Sequence, residues 1–333
     1  MMNLKAKFFF SLLVLLAVKL PADDGAASIA AGGIVVMKRE PRITMAKEVL
    51  RISFKKVIVD YDFRNDSDED ITTEVAFPIP DYDNDLDRSG RATAFDDFQL
   101  MIDGKPAHFD VEARAFLKRM EYTPLLNSMH VDIASFGHAT RKDGYPDIEK
   151  LTAEQKNRLV AVGLIDSDDG EILWSVRKKY YWRQTFPAHK AVHVRHEYSP
   201  ISGNENSIAY GMGPNPDKYS AGEIKTFCLD GRLQTMLQDI ADGKSKDKQA
   251  WYGYVDFILT TANTWKTPIE DFTLIVERPH WKNYKGESDP GDYVSFCWDG
   301  PVKRMDADHF SAHVENLVPA KELRIGFFGV QRK

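Results

Sequence analysis

Apolar and polar positions alternate along much of this chain. Leu50, Ile52 and Phe54 alternate with polar neighbours, and Val57, Val59, Tyr61 and Phe63 do so with the opposite parity. The slip at Lys55-Lys56 predicts a β-bulge or a break between two strands, because one residue of slip turns every side chain to the other face. Asn65-Asp66-Ser67-Asp68-Glu69-Asp70 reads as a polar turn. Ile71, Thr73, Val75 and Phe77 then alternate and stop at Pro78 and Pro80. A hairpin is expected at Asp103-Gly104, between Phe98–Ile102 and Ala107–Val111.

The pattern changes between about 120 and 166. Thr123-Pro124 resembles a helix N-cap followed by proline at the first helical position. Thr152-Ala153-Glu154-Gln155 has the form of a capping box and opens a helix that runs to Gly163. Extended segments return at Trp174, at Tyr180–Phe186 and at Ala191–Tyr198. Leu233, Met236, Leu237 and Ile240 recur at helical spacing, with Gly243 as the stop. Further strands are expected at Tyr252–Thr261, Phe272–Glu277, Val294–Trp298, Phe310–Val314 and Leu323–Phe328. A strand, an asparagine turn and a second strand occur twice, around Asn65 and around Asn263. Two related sandwich halves and chance similarity explain that echo equally well.

The N-terminus has its own pattern. Lys5 and Lys7 precede an apolar run from Phe8 to Val18, and Leu20-Pro21-Ala22 follows. Charge, apolar run and small residue, in that order, predict a signal peptide cut after Ala22. An uncleaved anchor is the weaker alternative, since a spanning helix needs roughly 20 apolar residues. The expected location is therefore outside the cytoplasm, periplasmic or secreted, with no stable membrane anchor after cleavage.

Without residues 1–22, which carry three lysines and no acids, the chain keeps 41 of its 44 basic and all 50 acidic residues, a formal charge of −9. An acidic chain without a basic patch repels phosphate backbones, so nucleic acid is not an expected partner. A 43% apolar and 11% aromatic composition is enough to fill a core. In an oxidising compartment the two cysteines, Cys228 and Cys297, are expected to form one disulfide. Two buried thiols are the alternative.

Candidate chemistry is sparse. The chain has no zinc-protease motif, nucleophile elbow, phosphate loop or dinucleotide fingerprint. His193 and Glu197 share a strand face with Arg195 while His196 lies opposite, which splits that group as a ligand set. Asp81, Asp83, Asp85 and Asp87 alternate in an acidic loop and are the best candidates for a structural Ca²⁺ site. Leu86 stands where a calcium loop wants glycine and Ala92 where it wants glutamate, so a solvated acidic loop competes with that reading. Tyr180, Trp182 and Tyr210 are candidate ligand contacts, though packing is the favoured role for the Tyr180–Trp182 aromatics. Asp96-Asp97 and Asp166-Ser167-Asp168-Asp169-Gly170 offer carboxylates, and turn chemistry also explains the latter.

Several motifs, taken together, resemble a known family. They are Asp23-Asp24-Gly25 with Gly32-Gly33-Ile34, Val75–Pro80, Tyr180–Ala188, Phe227–Asp230, Ser295–Gly300, and Asn316–Pro319 with Leu323-Arg324-Ile325. The set is similar to the bacterial domain of unknown function 4424. That resemblance implies an exported bacterial protein with an immunoglobulin-like β-sandwich, and brings no catalytic residues with it.

The expected architecture is mainly β. A signal peptide (1–22) precedes an N-terminal sandwich (23–119), a helical insertion (120–173) and a C-terminal β-rich part with one helix (174–333). The two β-rich parts are open to sharing one core. The expected function is a non-catalytic envelope or secreted binding or structural module, with an envelope glycan or a protein as partner and no cofactor beyond Ca²⁺. The alternative is a hydrolase of envelope glycan or peptide that uses an unrecognised carboxylate pair.

Overall fold

The computed structural model describes residues 25–29, 35–37, 39–79, 82–83, 97–136, 147–168, 170–200, 203–205, 212–214, 216, 218–245, 248–280 and 293–332. The signal segment, Asp81, Asp85, Asp87 and Tyr210 lie outside them. The first strands are β1 (Gly25–Ile29), β2 (Val35–Met37), β3 (Ile43–Ile52), β4 (Val57–Asn65), β5 (Ile71–Pro78) and β6 (Tyr82–Asp83). Next come β7 (Gln99–Ile102), β8 (Lys105–Pro106), β9 (Asp110–Leu117) and β10 (Met120–Glu121). Helices α1 (Thr123–Ser128) and α2 (Ala153–Ala161) follow, then β11 (Ser175–Phe186), β12 (Ala191–Tyr198) and β13 (Gly203–Glu205). Helices α3 (Lys218–Phe227) and α4 (Gly231–Ala241) precede β14 (Lys248–Phe257), β15 (Ile269–Glu277) and β16 (Tyr293–Phe296). The chain closes with β17 (Lys303–Arg304), β18 (His309–Leu317) and β19 (Leu323–Arg332).

Among the described residues these strands form three sheets. One is ordered β10-β9-β11-β5-β1-β2, with β6 also on β11; the largest runs β17-β18-β15-β3-β4-β12-β7-β8; a smaller one runs β13-β14-β19-β16. Pairing is antiparallel except for β3 with β15. Strands before residue 119 and strands after 174 mix in the two larger sheets. β11 lies between β5 and β9, and β12 lies between β4 and β7. One apolar core accordingly draws on both segments, from Ile43 and Phe63 to Phe272 and Phe327.

Local chemistry explains the main boundaries. The slip at Lys55-Lys56 is a break: Ile52 pairs with Val57, and Ser53 Oγ accepts from Lys56 N at 2.9 Å while donating to Lys56 O at 3.0 Å. A true irregularity falls elsewhere on that pair, between Met45 and Lys47. Asp103 (φ 49°) and Gly104 (φ 74°) form a two-residue hairpin turn with both residues left-handed, as a turn matching strand twist requires. The capping box of α2 is complete, with Thr152 Oγ1 accepting from Gln155 N and Gln155 Oε1 accepting from Thr152 N. Thr123 is no N-cap; its hydroxyl accepts from Ala115 N at 3.0 Å and pins α1 to β9.

The two asparagine turns are corners between sheets rather than hairpins. β4 and β5 belong to different sheets, as do β14 and β15. At the first corner Asn65 is fully buried, and its Nδ2 donates to Glu69 O and Phe186 O, each at 2.8 Å. A second apolar cluster lies between the smallest sheet and helices α3 and α4, with Phe227, Leu233, Leu237, Tyr252 and Phe328 at its centre. Alternation along β14 sends Tyr252 to the helices and Val255 and Phe257 to the main core.

Candidate functional site

The site begins with the way α3 stops. Cys228 has φ 51°, Cys228 N donates to Lys225 O, and Leu229 N donates to Ile224 O at 3.0 Å. This is a Schellman ending with cysteine where glycine is usual. Ser295 Oγ from β16 donates to Phe227 O at 2.9 Å, so a neighbouring strand also caps the helix. Cys297 follows β16 and forms a disulfide with Cys228, with 5.1 Å between Cα atoms. The last ring of the helix, Phe227, lies on Gly326 of β19, where an added Cβ would stand 3.0 Å from it. Beyond that ring the helix no longer covers the sheet.

The uncovered end is a cleft of about 420 Å³ lined by Thr226, Asp256, Ile258, Cys297, Lys321, Glu322, Leu323 and Arg324. Asp256 and Arg324 are register partners at the ends of β14 and β19. Arg324 Nε donates to Asp256 Oδ1 at 2.6 Å and Nη2 donates to Oδ2 at 2.7 Å. The Asp256 hydrogen bonds hold the Arg324 guanidinium above its ordinary range, against the opposing effect of burial. Its carbon stands 5.2 Å from the centroid of the Tyr254 ring, a cation–π distance. Glu322 is also committed: it accepts from Leu259 N at 2.8 Å, Thr260 N at 3.3 Å and Thr260 Oγ1 at 2.7 Å, capping the 3-10 turn Thr260–Thr264 from another part of the chain. Lys321 Nζ sits 3.0 Å from Asp299 in an exposed pair.

The residues singled out from sequence fall in several places. Cys228 and Cys297 come together at the cleft wall. Tyr180 and Trp182 do not form a ligand face: they are 2% and 3% exposed, with Tyr180 stacked on Phe98 at 4.4 Å, and burial between sheets leaves neither ring for a sugar. Asp83 belongs to β6, paired with Ser175. Among the described residues no group of three or more His, Cys, Asp or Glu is placed to hold a metal ion. His193 lies on the outer face, 2.8 Å from Asp62, while His196 is fully buried near Tyr61, Phe77 and Phe98. Asp97 accepts from Ser199 N and Oγ. Asp166 accepts from Asp168 N and shapes its own turn.

Sequence reasoning passed over Asp256, Lys321, Glu322 and Arg324. Each reads as an ordinary polar position at a strand end, and only the register of β14 against β19 brings them to one cleft.

The chain belongs to the family described as domain of unknown function (DUF4424), whose model matches residues 22–325. No curated protein matches it significantly. Among solved structures, one described as "a putative nutrient binding protein" from Legionella pneumophila subsp. pneumophila str. Philadelphia 1 is similar at 14% identity and a TM-score of 0.43, covering 92% of this chain and 70% of that one. A likeness that remote transfers neither ligand nor activity. No helix among the described residues is long and apolar enough to cross a membrane.

Proposed function

We propose that this protein is a non-catalytic binding module, exported to the periplasm or secreted, and that the cleft beside the disulfide receives its ligand. The observation that carries the reading is a ligand-sized cleft whose two carboxylates, Asp256 and Glu322, are spent on structural hydrogen bonds. The rival hydrolase reading needs a carboxylate pair free for acid–base work, and this cleft offers none. The Cys228–Cys297 bridge supports an oxidising compartment. An immunoglobulin-like arrangement of the two large sheets, a signal peptide over residues 1–22 and a Ca²⁺ site at Asp81–Asp87 belong to the same reading.

A thermal-shift screen tests it, using chain that starts at Asp23, with Ca²⁺, Zn²⁺, chelator, envelope glycans and small organic anions. A ligand at 100 times its Kd adds about 2.7 kcal/mol of stability. The expected result is a shift that disappears when Thr226→Trp fills the cleft. A shift that survives Thr226→Trp, or turnover of a glycan or peptide, would overturn the reading.

A further inference from the structure

We infer that the ligand of this cleft is a small organic anion, a carboxylate on a short apolar body. The inference rests on the cleft being the binding site, and follows from which hydrogen-bonding groups remain unspent. Both carboxylates are already engaged: Asp256 takes two bonds from Arg324, and Glu322 takes three from Leu259 and Thr260. At the end of α3, Phe227 O accepts from Ser295 Oγ and Lys225 O accepts from Cys228 N. Donors are left over.

Arg324 uses Nε and Nη2 on Asp256, which leaves the whole Nη1 amino group. Lys321 has three donors and spends one on Asp299, whose side chain is 88% exposed and yields readily to a better partner. Thr226 adds a hydroxyl at the helix end of the cleft. Ile258 and Leu323 are the apolar lining between these groups. Asp256 also fixes the guanidinium plane, so Arg324 meets an incoming oxyanion with little orientational loss. Among the described residues the cleft lining has no aromatic ring, and so no platform on which a neutral sugar would stack.

The test is calorimetric titration with isovalerate and with its neutral analogue isovaleramide. Isovalerate is expected to bind saturably and isovaleramide at least about tenfold more weakly, the loss of one charge-assisted bond. Lys321→Ala, a change at an exposed side chain that leaves the fold intact, is expected to weaken isovalerate about tenfold. Arg324→Gln is expected to do the same with an unchanged circular dichroism spectrum. Equal affinity for the acid and the amide, unchanged affinity in Lys321→Ala, or no binding of isovalerate overturns the inference. If isovaleramide binds as well as the acid and Thr226→Trp blocks both, the cleft stands and the anion falls. If isovalerate binds regardless of Thr226→Trp, the cleft itself falls.

Discussion

Arg324 grips Asp256 edge to edge, with two hydrogen bonds of 2.6 Å and 2.7 Å between register partners on adjacent strands. The two side chains are 42% and 34% exposed, so water screens most of their attraction. Asp256→Asn is expected to cost only about 1 kcal/mol in chemical denaturation, near the upper end for an exposed pair. A loss several times larger would mean that the pair holds the end of the sheet together.

The disulfide closes a loop with a sequence separation of 69 residues. In the chain-entropy model a loop of that size contributes about 4 kcal/mol. Reduction, or the double change Cys228→Ala and Cys297→Ala, is expected to lower the urea midpoint accordingly. An unchanged midpoint would show that the bridge constrains nothing.

Asn65 ties one sheet to the next. Its amide donates to Glu69 O and Phe186 O and accepts from Ser67 N and Oγ. Asn65→Ala takes the amide donor from the buried Phe186 O and from Glu69 O, of which Glu69 O keeps a second donor in Ser67 Oγ, and is expected to destabilise by about 2–4 kcal/mol. Asn65→Asp removes the same donors and should fare no better. Equilibrium unfolding checks both, and a loss under about 0.5 kcal/mol would refute the role assigned to this side chain.

Asp66 controls part of the acid response. Hydrogen bonds from Arg64 and Lys266 lower its carboxyl from the ordinary value to about 2. A depressed folded-state pKa stabilises above the unfolded value near 4, and that contribution is lost as pH falls from about 4 to about 2. With the side chain 35% exposed, its size is held to about 1 kcal/mol. Wild type and Asp66→Asn should differ above pH 4 and converge toward pH 2. Parallel curves across that range would count against it.

Much of the fold was legible because alternation is a local signal. The edges of β12 and the start of β4 match the sequence reading, and the stops of α2 and α4 are written in Gly163 and Gly243. Helix α3 was not legible, since Ile224 and Phe227 alone make too thin an apolar stripe. Period two places Tyr180 and Trp182 together without saying which side is core, and their burial agrees with packing, the favoured role for these aromatics in the sequence. The cleft was invisible for a different reason. Its charged groups come from strand ends far apart in sequence, and only pairing register joins them.

The parallel pairing of β3 with β15 sets Lys47 beside Asp271 and Ile52 beside Val276. The ribosome therefore releases β3 long before its neighbour exists. Until β15 has emerged, the β3–β4 hairpin has an open flank, and the largest sheet stays incomplete. Such distant pairing makes maturation slow and late. The order of synthesis, and not sequence alone, therefore sets when the largest sheet can be completed.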